Sequence, residues 1–258
     1  SFCLSKPKIN QIGYNPVGLH LFQLFDPNCY SIGPNVFESV KVWVLLLKEF
    51  QLELRKKSAI AGLLLYLFCT VFIYYMAFRL QLAGLSAANW SALFWITLLF
   101  TAISTVGKSF MGEHKGRDFY YYALASPQDI LLAKMLYGLL ICFAFSIFGF
   151  GLFSLLLGNQ VNDFVIFTST LLLVSYAFSS SLTLLAGIAA RTQNGHILMA
   201  VLGLPILIGV LLMAIQLTKN CIDGIDPAAS YDELTTLGAI NLLTTAVSYL
   251  LFPYIWRS

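Results

Sequence analysis

From residue 58 onward the chain alternates long apolar runs with short polar interruptions. Six runs stand out, approximately Ser58 to Phe78, Ala88 to Val106, Ile130 to Leu157, Phe164 to Ala190, Ile197 to Leu217 and Leu234 to Trp256. A helix rising about 1.5 Å per residue needs about 20 apolar residues to cross about 30 Å of hydrocarbon. The shortest run comes close to that length, and the third and fourth are long enough to tilt or protrude. The pattern predicts an all-α integral membrane protein with six transmembrane helices.

Ahead of the first run the period is amphipathic. Trp43, Leu46, Leu47, Phe50 and Leu54 share one helical stripe, and Lys41, Lys48, Gln51 and Arg55 another. Such a segment is expected to lie in the membrane interface, with Arg55, Lys56 and Lys57 as a basic anchor before the first span. The plainer alternative is a solvated charge run that only sets topology.

Residues 1–40 follow neither pattern. They carry Pro7, Pro16, Pro27 and Pro34, scattered glycines and no sustained apolar period. They are read as a non-native or disordered N-terminal extension, leaving 41–258 as the membrane domain. The first methionine is Met76, so the expectation is a fragment, or a translation extended upstream of a non-AUG start near Val36. No basic n-region with an h-region and cleavage site is recognisable there, so no secretory signal is read.

Composition agrees with the pattern: of 258 residues 59% are hydrophobic and 10% charged, against about 25% charged in a soluble domain. Soluble-fold arguments therefore do not apply, and a net charge of +3 gives no reason to expect nucleic acid as a partner. The five cysteines (Cys3, Cys29, Cys69, Cys142, Cys221) show no CxxC and no paired spacing, so neither a disulfide framework nor a zinc site is indicated.

The distribution of charge predicts orientation. With the N-terminus inside, cytoplasmic segments from residue 41 hold Lys41, Lys48, Arg55, Lys56, Lys57, Lys108, Lys115, Arg117, Lys134, Arg191 and Arg257, whereas the outside holds Arg79 and Lys219. Cytoplasmic excess of Lys and Arg sets orientation, so both termini are expected inside. The last outer segment, Thr218 to Glu233, is acidic through Asp223, Asp226, Asp232 and Glu233. Gly224 and Pro227 rule out one continuous helix, so it is expected to be a solvated loop, with a partial dip into the membrane or contact with an outer-face partner as the alternatives.

Candidate chemistry inside the spans is sparse. No span carries Asp, Glu or His in its apolar body, and Lys134 sits near a cytoplasmic end, from which it is expected to snorkel. Ion-coupled transport usually needs such groups. The fourth span has a polar stripe, Ser175, Ser179 and Thr183, beside Ser180 and Ser181; helix packing is preferred over substrate contact as its role. Gly107-Lys108-Ser109 looks like the end of a phosphate-binding loop, but Ala102 stands where the first glycine belongs and an apolar helix precedes it. His114 and His196 fall on the cytoplasmic side and His20 in the leader, so no outer histidine is available as a haem ligand. Only Glu113, His114, Arg117 and Asp118 cluster as an enzyme site would, and no catalytic residue is assigned.

That cluster belongs to the polar interruption GKSFMGEHKGRDFYYYALASPQDILLAK, Gly107 to Lys134. Asp118 to Ala125 is expected to form a short surface helix, ended at Ser126 because Pro127 disfavours helix at the residue before it. Pro127 and Asp129 then open the next span. Three adjacent tyrosines offer ring surface and hydroxyls suited to a groove on another protein.

The interfacial KEFQLELRKK, the segment GEHKGRDFYYYALASPQDILLAK and six spans with an acidic last outer segment together resemble the CcmB family, the haem exporter B permeases of the cytochrome c maturation ABC complex. The similarity covers roughly Val42 to Arg257. The same features also resemble ABC-2 type export permeases generally. The resemblance implies a non-enzymatic permease subunit, homodimeric and bound to cytoplasmic ATPase subunits that supply the ATP chemistry. The ATPase-coupling region would be Glu113 to Pro127: Phe119, Tyr120, Tyr121 and Tyr122 as docking face, Glu113, Arg117 and Asp118 as polar contacts, Ser126 and Pro127 as its end. It further implies a bacterial inner-membrane location, a haem-handling membrane subunit with a small helper, ATP-driven release of a haem-loaded chaperone, and haem as cargo of the complex without direct ligation here. The alternatives are an ABC-2 exporter of another substrate such as a lipid, and a membrane scaffold without transport.

Overall fold

A computed structural model describes residues 43, 45–47, 49–51, 57–79, 85–107, 126–190, 195–224 and 227–257. Six helices order the described chain: α1 (Lys57–Arg79), α2 (Ala87–Thr105), α3 (Pro127–Leu157), α4 (Phe164–Ala189), α5 (Gly195–Asp223) and α6 (Pro227–Arg257). All six are long and apolar enough to cross a membrane. A short helical stretch within residues 43–51 precedes them. Among the described residues there is no strand, as expected where every backbone group must be satisfied within its own segment.

Polar side chains mark where several helices begin. Ser86 accepts from the Asn89 N–H at 3.3 Å to start α2, and Asp163 accepts from the Val165 and Ile166 N–H groups at 3.1 and 3.3 Å to start α4. Gly158 ends α3 with φ of +89°, a backbone conformation that a side chain would strain. Residues 159–163 then turn the chain into α4, while Gln160 donates to the Leu85 carbonyl at 3.2 Å, binding this connection to the start of α2.

The expected outer loop over 218–233 is mostly helix. α5 continues to Asp223 and α6 starts at Pro227, and Gly224 just after α5 has φ +66°. Proline costs little in a first helical turn, so Pro227 marks a start and not a gap. The polar residues read as loop hold the hairpin together: Glu233 accepts from the Gln216 and Asn220 side-chain amides, each at 2.9 Å. Asn162 adds a brace, its backbone N–H donating to the Cys221 carbonyl at 3.2 Å and its amide to the Ile222 carbonyl at 2.7 Å. These carbonyls end α5 and have no partner within the helix.

Helix α4 is the axis of the bundle. It packs on α3, α5 and α6, and nearly every residue from Val174 to Ala189 is buried. α1, by contrast, packs along α3 and α2 on one side only and exposes Leu65, Phe68, Phe72, Ile73 and Met76. The main core is aromatic near the start of α2, where Trp90 and Phe94 stack at 5.4 Å and Phe153 stands edge-on to both at 5.4 and 5.3 Å. Such edge-to-face pairs add about 0.5–1.5 kcal/mol beyond area burial. Trp95 donates from Nε1 to Thr218 Oγ1 at 2.8 Å, tying α2 to α5 inside the bundle.

Candidate functional site

The polar interruption leaves the bundle at Gly107 and rejoins it at Ser126, and both ends are fixed. The Val106 N–H donates to the Ala102 carbonyl at 2.8 Å, extending α2 by a residue. Gly107 is buried under the Met199 side chain of α5, so closely that a Cβ there would overlap its methyl group. At the other end Ser126 and Asp129 form a reciprocal capping box. Ser126 Oγ accepts from the Asp129 N–H at 3.2 Å, and Asp129 Oδ2 accepts from the Ser126 N–H at 3.3 Å. With Pro127 in the first turn, the sequence Ser-Pro-Gln-Asp starts α3. This is the helix start that Pro127 and Asp129 predicted.

Between these ends lie the residues expected to dock a partner. Glu113, Arg117, Asp118, Phe119, Tyr120, Tyr121 and Tyr122 fall outside the described residues, while Ser126 and Pro127 stand at the start of α3. Lys48, Arg55 and Lys56 of the interfacial segment also lie outside them, and Lys57 is the first residue of α1.

The described part of the interfacial segment has two faces. Trp43, Leu47 and Phe50, at spacings of four and three residues, are exposed. Leu46 is buried, and Leu45 packs on a small core of Ile130, Leu131 and Met135 from α3, Ala186 from α4 and Phe252 from α6. This second core is separate from the main one and sits at the end of the bundle from which the polar interruption emerges. The Phe252 ring lies over Gly187, where a Cβ would come within 2.9 Å of it.

Lys134 corrects the sequence reading. Its side chain does not snorkel: it is 2% exposed and pairs with Glu49 at 3.6 Å, the Glu49 side chain being 14% exposed. Lys134 follows Ile130 and Leu131 on the bundle side of α3 by one turn, so its stem runs inward among the second core. A buried ammonium needs an anionic or hydrogen-bonding partner at close range. Glu49, placed one turn after Leu45 and Leu46, supplies it. Sequence reasoning missed Glu49; the available signal was an acid one turn after Leu45 and Leu46 in an amphipathic segment.

The span-four stripe faces α3. Ser175 and Ser146 are in hydroxyl contact at 3.4 Å, and Ser146 also donates to the Cys142 carbonyl at 2.8 Å. Ser179 donates to the Met135 carbonyl at 2.6 Å, and α3 comes this close because position 138 is glycine: a Cβ there would overlap Ser179 Oγ. Thr183 Oγ1 is buried without a hydrogen-bond partner among the described residues. α4 and α6 carry a second polar seam, with Tyr176 and Thr245 in hydroxyl contact at 2.8 Å and Asn241 donating to the Leu173 carbonyl at 2.9 Å. These groups join helices in a medium where apolar surface alone gives little association.

The family described as CcmB protein matches residues 40–255, from just before the interfacial segment into the last turn of α6. No individually curated protein matches the chain.

Proposed function

The chain belongs to the CcmB family, and from that premise we propose that it is the permease subunit of an ABC complex for cytochrome c biogenesis, worked by a separate ATPase subunit through the segment Glu113 to Pro127. The family carries the general role, a multi-pass membrane protein of a haem-transport ABC system. The finer reading rests on one observation. The polar segment is attached at both ends to packed helices, at buried Gly107 and at the Ser126–Asp129 capping box, so a push on it is passed to α2, α3 and α5.

An ATPase changes shape when it binds and hydrolyses nucleotide, and a membrane partner needs a handle outside the bilayer to respond. In this reading Phe119 and Tyr120 to Tyr122 fill a groove on that subunit, with Glu113, Arg117 and Asp118 around them. Rings in such a groove account for most of the binding energy and charges at its rim for orientation. The permease acts as a homodimer in the bacterial inner membrane, both termini cytoplasmic, beside a haem-handling membrane subunit and its small helper, with the surrounding lipid as solvent. ATP chemistry stays in the partner; haem is cargo of the complex and takes no ligand from this chain. Residues 41–258 form the membrane domain.

Co-purification with the cognate ATPase subunit tests the reading. Tyr121→Ala combined with Tyr122→Ala should cut retention of the ATPase by at least about tenfold, as loss of two aromatic anchors implies. The yield of c-type cytochromes should fall with it. Unchanged retention together with unchanged yield would refute the assignment.

A further inference from the structure

Glu49 and Lys134 join two elements that lie far apart in the sequence. One is the interfacial helical stretch, whose outer face, Trp43, Leu47 and Phe50, is exposed for contact with lipid. The other is the first third of α3, which begins at the capping box ending the polar segment. Lys134 is the eighth residue of α3, about 10 Å along its axis from Pro127. Around the pair, Leu45 and the second core bring in the ends of α4 and α6. The ion pair is thus where the interfacial stretch, the helix leaving the polar segment and the bundle base converge.

Its chemistry differs from that of the surrounding contacts. Apolar contacts between an interfacial helix and a bundle slide at little cost, because lipid is as apolar as the groups it would replace. A buried ammonium is different: moved away from this carboxylate it loses an anionic partner in a low-dielectric setting, which is disfavoured. The pair therefore allows the two helices to move together and resists their moving apart.

We propose that Glu49 and Lys134 form a clasp that makes the interfacial stretch and α3 a single moving body, so that force applied to the polar segment is delivered to the membrane interface as well as to the bundle. This rests on the docking reading given above, whose handle lies directly before α3. Glu49 and Lys134 are then positioning residues. They touch neither ATPase nor cargo, and they determine how far a stroke travels.

The test uses the whole complex of this chain with its ATPase subunit. Glu49→Gln combined with Lys134→Met removes both charges of the pair together and retains the apolar contacts, so the protein should reach the membrane and keep its ATPase at wild-type levels. With ATP hydrolysis continuing, c-type cytochrome yield should fall about tenfold, the size of effect expected when a coupling contact is lost. The charge swap, Glu49→Lys with Lys134→Glu, should recover yield to within about threefold of wild type, whereas a purely space-filling role gives no reason for recovery. Wild-type yield in the neutral variant, or a swap that recovers nothing, would overturn the clasp and leave the docking reading intact. Failure of the unaltered chain to retain the ATPase would instead overturn both.

Discussion

Close approach of α3 and α4 depends on Gly138 and Ser179, and the two should be energetically coupled in a way that a double-mutant cycle can measure. Ser179→Ala removes the 2.6 Å bond to the Met135 carbonyl. That carbonyl lies inside α3 and still receives the N–H four residues on, so no acceptor is stranded. The loss should be that of one interhelical hydrogen bond in a membrane protein, about 0.6–1.7 kcal/mol. Gly138→Ala acts by crowding: the new methyl would overlap Ser179 Oγ at a site where both residues are buried, an overpacking cost of about 1–3 kcal/mol. In the double variant the overlapping oxygen is gone. The nearest neighbours of the new methyl are then Ser179 Cβ and Val106 Cγ2, both at 3.3 Å, which need to yield only a few tenths of an ångström. Most of the crowding cost should vanish, and the double variant should be about 1–2 kcal/mol more stable than the sum of the single losses. Reversible unfolding in mixed micelles or bicelles, read as ΔΔG for the three variants, supplies the measurement. Additivity within about 0.5 kcal/mol would show that the hydroxyl does not set the approach of the helices, and would refute the reasoning.

Two further outcomes are expected. Thr218→Val keeps the volume of the side chain but removes the acceptor for Trp95 Nε1, so stability should fall by about 1–2 kcal/mol in the same unfolding assay, with Phe at position 95 abolishing the added effect of the valine. A reporter active only in the cytoplasm, fused after Gly116, should be active, as the excess of Lys and Arg in that segment predicts; a silent fusion there, with activity after Gly224 instead, would invert the topology.

The apolar runs alone fixed how many helices cross the membrane and roughly where each begins, because a span must satisfy its own backbone and hide it in about 20 apolar residues. Ser126-Pro127 marked a helix start correctly for an equally local reason, the geometry of proline and of a capping side chain. Polarity misled at the last hairpin: Asp223, Asp232 and Glu233 suggested a loop, yet a charged residue on a helix protruding past the hydrocarbon is as well solvated as one on a loop, and Glu233 finds two amides there. Which helix would be central was not legible either. α1 and α4 are both long and apolar enough to span, and hydropathy does not separate a side chain touching lipid from one touching protein, since both surroundings are apolar. Only the packed bundle decided that α4 is enclosed, that Ser179 serves contact with α3, and that Lys134 turns inward to a carboxylate 85 positions earlier in the chain. That last pairing joins residues whose nearness is a property of the fold, and no local pattern in the sequence encodes it.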